Sequence, residues 1–330
     1  MSKLFILILL HCACLVHGQS GVIYTVKGKI DSKYLNAALT HEHLMSNFGD
    51  EAASIAVYDS VALFKQVIPY LKKIRDLGIH SIFDCTAAYF GRNVSLLNRL
   101  ADSTGLHIIT NTGFYGAAND KYIPAFAFTA TANQIANTWI NEFENGIDDT
   151  GIKPGFIKLA FDDGVPSAID CKLFEAGIIT HLKTGLTIQV HTGNNVVAAN
   201  EQLRLLNTRK VSAAAWIWAH ANKADDVNVL VDAASKGAWI SLDGITALNT
   251  GEYIKKLQTF KDKKLLHKVL LSHDGNSFPR GGAIRKYEDV VTKLIPELLK
   301  NGFLKEEIDQ LVIHNPQAAF EIRVRKTNEL

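Results

Sequence analysis

An α/β chain closed as a (β/α)8 barrel is what this sequence predicts, on three observations. About eight short apolar runs alternate with longer amphipathic stretches. The runs are continuously apolar or rich in Ile, Val, Trp and Phe, as parallel strands buried on both faces are. The 330 residues hold no repeat, low-complexity tract or linker that would divide them. A doubly wound open sheet is the competing fold, but it would carry a glycine-rich phosphate turn after its first strand. Here the first strand ends in His41-Glu42-His43.

At the N-terminus, Met1-Ser2-Lys3 precedes Leu4-Phe5-Ile6-Leu7-Ile8-Leu9-Leu10 and a small-residue zone ending Val16-His17-Gly18-Gln19. One positive charge, a short apolar core and Val16 and Gly18 at the −3 and −1 positions read as a secretory signal peptide over 1–18. Cleavage is expected after Gly18, with Ser20 as the alternative. The mature protein is then secreted or periplasmic. The apolar run is too short to span a bilayer, so no integral span is expected after signal removal. A buried N-terminal strand is the competing reading, and lipid attachment at Cys12 or Cys14 fits the preceding residues poorly. Residues 19–330 read as one domain, with a small hairpin over 19–34 covering the bottom of the barrel.

The barrel runs are 35–43, 80–86, 107–115, 155–161, 186–192, 213–220, 238–243 and 268–274, each of strand length. The first helical stretch places Val61, Leu63, Phe64, Val67, Ile68, Leu71 and Ile74 at three- and four-residue spacing. Further helices are expected over 132–147, 172–182, 198–206, 224–234, 288–299 and 305–312. Gly185 is placed to cap the C-terminus of the helix before the fifth run.

An apolar fraction of 47% supports a sizeable core, and a net charge of +2 without a long basic run argues against nucleic acid or an anionic membrane surface as partner. Cys85 and Cys171 remain after signal removal, too few for a disulfide framework. Cys85 lies inside a strand-like run and is expected as a buried thiol. Asn93-Val94-Ser95 is a glycosylation sequon if the host is a eukaryote.

The titratable residues fall on the ends of these runs. His41 and His43 alternate on the first, so both face one side and Glu42 faces the other. Lys158 lies on the fourth run, His191 ends the fifth, His220 the sixth and Asp274 the eighth. Barrel active sites sit at the C-terminal ends of the strands. Singly, each histidine reads as a hydrogen-bonded polar residue and Asp274 as a loop cap. An unpaired lysine in an apolar strand is costly, however, and six metal-compatible residues on five strand ends are hard to obtain by chance.

The motifs Thr40-His41-Glu42-His43-Leu44, Ile157-Lys158 and Ser272-His273-Asp274, with His191 and His220, resemble the phosphotriesterase family of the amidohydrolase superfamily. The resemblance runs from about Leu39 to Phe320 and includes Asn315-Pro316. It implies a (β/α)8 barrel holding two divalent metals, with Lys158 carboxylated by CO2 and bridging them. His41, His43 and Asp274 would hold one metal, and His191 and His220 the other. A hydroxide between the metals would attack a small ester or lactone, with Asp274 orienting it and accepting its proton, and with phosphotriesters as promiscuous substrates. Zn2+ suits this donor set; Mn2+, Fe2+ and Co2+ are allowed.

Thr112-Gly113-Phe114-Tyr115 is similar to the lactonase branch, where a tyrosine faces the metals, so Tyr115 is a candidate to hydrogen-bond substrate; a rim aromatic is the alternative. Glu42 and His273 should face away from the metals and support packing, and Asp84 is a candidate to orient a ligating histidine. The glycines of Ser277-Phe278-Pro279-Arg280-Gly281-Gly282 suggest a substrate loop, with Arg280 a candidate for an anionic substrate group; a solvated loop is the alternative. His220 is not followed soon by the acidic residue common in the family, and Asp225 or Asp226 would have to substitute. An amidase acting on N-acylated small molecules is the second functional reading. A mononuclear deaminase shares the histidines and aspartate but does not need Lys158, and a non-catalytic binding protein would not need an intact ligand set. A homodimer fits the family.

Overall fold

The computed structural model describes residues 21–49, 51–279 and 283–327. The signal-peptide reading of 1–18 and the reading of Arg280 lie outside these residues. The described residues open with the expected hairpin, β1 (Val22–Thr25) antiparallel to β2 (Gly28–Asp31). Val26 N donates to Ile108 O at 2.8 Å, which ties the hairpin to the bottom of the barrel. Ile23 of the hairpin joins Phe83, Ile109, Phe156, Trp239 and Phe320 in a buried plug.

The strands are β3 (Ala38–His43), β4 (Ser81–Asp84), β5 (His107–Ile109), β6 (Asn111–Thr112), β7 (Phe156–Ala160), β8 (Ile188–His191), β9 (Trp216–Ala219), β10 (Trp239–Leu242), β11 (Val269–Leu271) and β12 (Gly275–Asn276). All pair in parallel, in the orders β12-β3-β4-β5 and β6-β7-β8-β9-β10-β11. β5 and β6 are one barrel strand broken at Thr110, and β11 and β12 are one strand broken at 272–274, so the two sheets join into the closed eight-stranded barrel that the alternation predicts.

Each apolar run holds a strand, with trimmed ends. Ala213–Ala215 form a 3-10 turn and the strand begins at Trp216. The eighth run leaves strand geometry after Leu271, and Asp274 takes a left-handed φ of 54°.

The helices are α1 (Ser60–Asp76), α2 (Val94–Thr104), α3 (Ala125–Thr129), α4 (Ala132–Asn145), α5 (Ala168–Thr184), α6 (Val196–Thr208), α7 (Val227–Ser235), α8 (Thr250–Asp262), α9 (Ile295–Lys300), α10 (Lys305–Asp309) and α11 (Asn315–Phe320). In α1 the Asp59 carboxylate accepts from Val61 N and Ala62 N, and Leu63, Val67, Leu71 and Ile74 face the barrel. Capping boxes start α4 (Thr131 with Gln134) and α5 (Ser167 with Asp170), and Gly185 closes α5 in the left-handed conformation, as expected.

Two long helices were not anticipated. In α8 only Tyr253, Leu257 and Phe260 are buried, a stripe too thin to stand out among lysines. At α2, Asn93 read as a sequon is the N-cap: its Oδ1 accepts from Leu96 N at 3.0 Å and its Nδ2 donates to Ala56 O at 2.9 Å. The amide nitrogen that would carry a glycan is therefore engaged. Cys85 is buried and free, as expected, and Cys171 is free and half-buried.

Candidate metal centre

The alternation on β3 places His41 and His43 inward and turns Glu42 out of the barrel mouth. Both histidines line one cavity of about 150 Å3 with Tyr115, Lys158, His191, His220 and Asp274. The structure thus brings together every described side chain proposed for the site. The rings stand close: His41 and His220 have centroids 4.6 Å apart, and His191 and His220 4.4 Å. Asp274 Oδ1 is 3.2 Å from His43 Nε2 and 3.8 Å from His41 Nε2. His220 and Asp274 both sit at left-handed φ, 59° and 54°. That conformation is costly for non-glycine residues, and here it turns two strand-end side chains to the cavity.

Hydrogen bonds at Nδ1 fix the two β3 rings. His41 Nδ1 donates to Asp243 Oδ2 at 2.9 Å, which leaves Nε2 as the lone-pair nitrogen toward the cavity. His43 Nδ1 donates to Thr86 Oγ1 at 2.8 Å, and the Thr86 hydroxyl donates to Met45 O at 2.7 Å. Asp84, proposed to orient a ligating histidine, acts one link away. It accepts from Leu44 N at 2.8 Å and lies 3.3 Å from the Thr86 hydroxyl. Burial pushes its carboxyl up to about 6 despite the nearby His43.

Sequence reasoning missed Asp243. It also accepts from His220 N at 2.7 Å and from Ser241 Oγ at 2.6 Å, and so joins the ends of two strands to His41. Burial alone would raise its carboxyl, but His41, the bond to it and His220 hold it well below the usual carboxylate range. Its signal was present: it closes the seventh apolar run as Asp274 closes the eighth.

Burial and then the charge of Lys158 lower His41, and the same causes bring His191 down to about 3. Burial and then His41 hold His220 well below the ordinary histidine range. Lys158 is buried, and its Nζ donates to His41 Nε2 at 3.2 Å; among the described residues it has no ion pair with a carboxylate. Tyr115 stacks on Phe90 at 4.6 Å, and its hydroxyl lies 3.4 Å from His191 Nδ1.

Glu42 supports packing, as expected, by accepting from Ser272 Oγ, His273 N, His273 Nδ1 and Gly275 N at 2.6–3.0 Å. His273 Nε2 in turn accepts from Val290 N at 2.9 Å. Asp225 and Asp226 do not take the acidic place after His220: both are exposed, and Asp226 caps α7 by accepting from Asn228 N. Asn222 is turned toward β10 instead, where its Oδ1 accepts from Asp243 N at 3.1 Å.

Two overlapping groups, His41–His43–Asp274 and His41–His220–Asp243, bring ligand atoms within 4.8 Å of one another. Four imidazoles and a carboxylate around a buried amine suit divalent cations of the Zn2+ kind. A parallel barrel that gathers such donors at its C-terminal mouth has the layout of an enzyme active site able to take a metal. The model of the phosphotriesterase family matches residues 21–320, and the chain belongs to that family of hydrolases.

Among its relatives, the phosphotriesterase homology protein of Escherichia coli is 26% identical over 290 residues, covering 86% of this chain and 97% of that protein. The aryldialkylphosphatase of Saccharolobus solfataricus is 26% identical, covering 89% and 98%. The N-acetyltaurine hydrolase of Mus musculus is 23% identical, covering 90% and 97%. Among solved structures, the organophosphorus hydrolase of Deinococcus radiodurans superposes with a TM-score of 0.83 at 25% identity, covering 92% of this chain and 98% of that one.

Proposed function

We propose that the chain is a binuclear metal hydrolase of small esters or lactones. The observation that carries this reading is the convergence of His41, His43, Lys158, His191, His220 and Asp274, from five strands, on one cavity. His41, His43 and Asp274 would hold one cation, and His191 and His220 the second. Carboxylation of the Lys158 side chain by CO2, with loss of two protons from the ammonium form, would turn a buried cation into an anion that offers two oxygen donors to the cations. Bound there, two cations would lower the pKa of a water and polarise the scissile carbonyl or phosphoryl oxygen.

The chain supplies orientation and proton handling. Asp243 and Thr86 hold the two β3 rings with Nε2 toward the cavity. Asp274 stands at the mouth, where its second oxygen can accept the proton of the attacking water. Phe90 fixes Tyr115 by stacking, and the Tyr115 hydroxyl is placed to donate to a substrate oxygen.

An amide bond is the second reading, favoured by the N-acetyltaurine hydrolase relative. A screen of lactones, aryl esters, N-acyl amides and paraoxon-type triesters with the metal-reconstituted mature protein separates the two. Turnover of lactones or esters above amides supports the first reading. Turnover confined to amides replaces it with the second, and turnover of neither removes both.

A further inference from the structure

The mouth of the cavity carries a cation that the hydrolase reading does not use. Arg285 lines the cavity wall beside Asp274. Its backbone pairs with Asn276, N to O at 3.0 Å and O from N at 2.7 Å, so its position is set by the end of β12. Its Nε donates to Asp274 O at 3.0 Å, which holds the guanidinium over the opening. Nη2 stands 3.8 Å from Asp274 Oδ1, beyond hydrogen-bond range, and the side chain is 54% exposed. One edge of the fork is thus anchored to the backbone while the other meets whatever enters.

The rest of the lining completes the pattern. Phe48, Phe90 and Tyr115 make an aromatic wall. Among the described lining residues Asp274 is the one carboxylate, and it already faces His43 at 3.2 Å. An opening with an anchored guanidinium and an aromatic wall favours a ligand with a charged acceptor end and a short apolar body.

We infer that Arg285 determines specificity by binding an anionic group, a carboxylate or sulfonate, a few atoms from the scissile bond of a small ester or amide. This rests on the hydrolase reading above. A neutral ester would leave the outer edge of the guanidinium to solvent, so discrimination is expected in KM more than in kcat.

The test uses two matched pairs. Monophenyl succinate and phenyl butyrate differ by a terminal carboxylate against a methyl group, and succinamate and succinamide set a carboxylate against a neutral carboxamide in a binding titration that needs no turnover. The full-length metal-loaded protein should prefer the anionic member of each pair. In Arg285→Gln the preference should fall by about tenfold, through KM and Kd, while Arg285→Lys keeps part of it and metal content stays the same in all three. An unchanged preference in Arg285→Gln, in either assay, overturns the assignment, as does equal binding of succinamate and succinamide by the unmodified protein. Absence of metal and of all turnover would instead remove the hydrolase reading, and the binding titration would still decide the role of Arg285.

Discussion

Asp243 shows how much of the site rests on a single side chain that touches no substrate. Its carboxylate accepts from His41 Nδ1 and from His220 N, so it sets the tautomer of one ring and the position of the next. Asp243→Asn should weaken metal binding by about 10- to 100-fold, read by competition with a chelator. Unchanged affinity would show that the tautomer is set elsewhere. A second residue-scale prediction concerns His181, far from the centre. Its Nδ1 donates to Leu186 O at 2.8 Å and its Nε2 accepts from Arg325 N at 2.9 Å, which suits the neutral ring. Burial brings it down to about 4. Below about pH 6.5 the unfolded chain takes up a proton that the folded chain refuses. Stability should therefore fall as pH drops from about 6.5 to about 4, by roughly 3 kcal/mol from this group. In His181→Gln that part of the slope should vanish in urea unfolding measured across the window. At this scale the six residues proposed as ligands stood out because each interrupts or ends an apolar run. Asp243 ends a run too, but its bond to His41, 202 residues away, leaves no mark in the sequence.

The closing seam between β3 and β11–β12 is the element on which the centre depends most. Asp274 N donates to His41 O and Ser277 N to His43 O, both at 3.0 Å, while the Glu42 carboxylate gathers Ser272, His273 and Gly275. Glu42 is fully buried and its partners leave it satisfied. Glu42→Ala strands those donors and should cost roughly 3–5 kcal/mol in chemical unfolding. It should also lower turnover, since Asp274 hangs from the same segment. A loss under about 1 kcal/mol would mean that the seam is held by backbone pairing alone. The runs predicted the strands because burial on both faces leaves a continuous apolar signature. The breaks at Thr110 and 272–274 were not legible, since a strand end that bends to present a side chain has the same composition as one that continues. α8 escaped for the opposite reason, a short buried stripe on a lysine-rich surface helix.

For the whole molecule, the alternation of runs and helices sufficed to predict a closed parallel barrel, and a barrel places every strand end on one rim. The gathering of the six cavity residues follows from that topology more than from any local motif. What the rim selects, including the role of Arg285, depends on loop geometry between β12 and α9 that no periodicity describes. The central claim is a two-cation centre bridged through Lys158. Metal content per chain, measured on the unmodified protein and on Lys158→Ala after reconstitution with Zn2+ and bicarbonate, tests it most directly. The account predicts close to two ions per chain in the first and a loss of at least one, with activity, in the second. Equal metal content and equal turnover in the two proteins would contradict it.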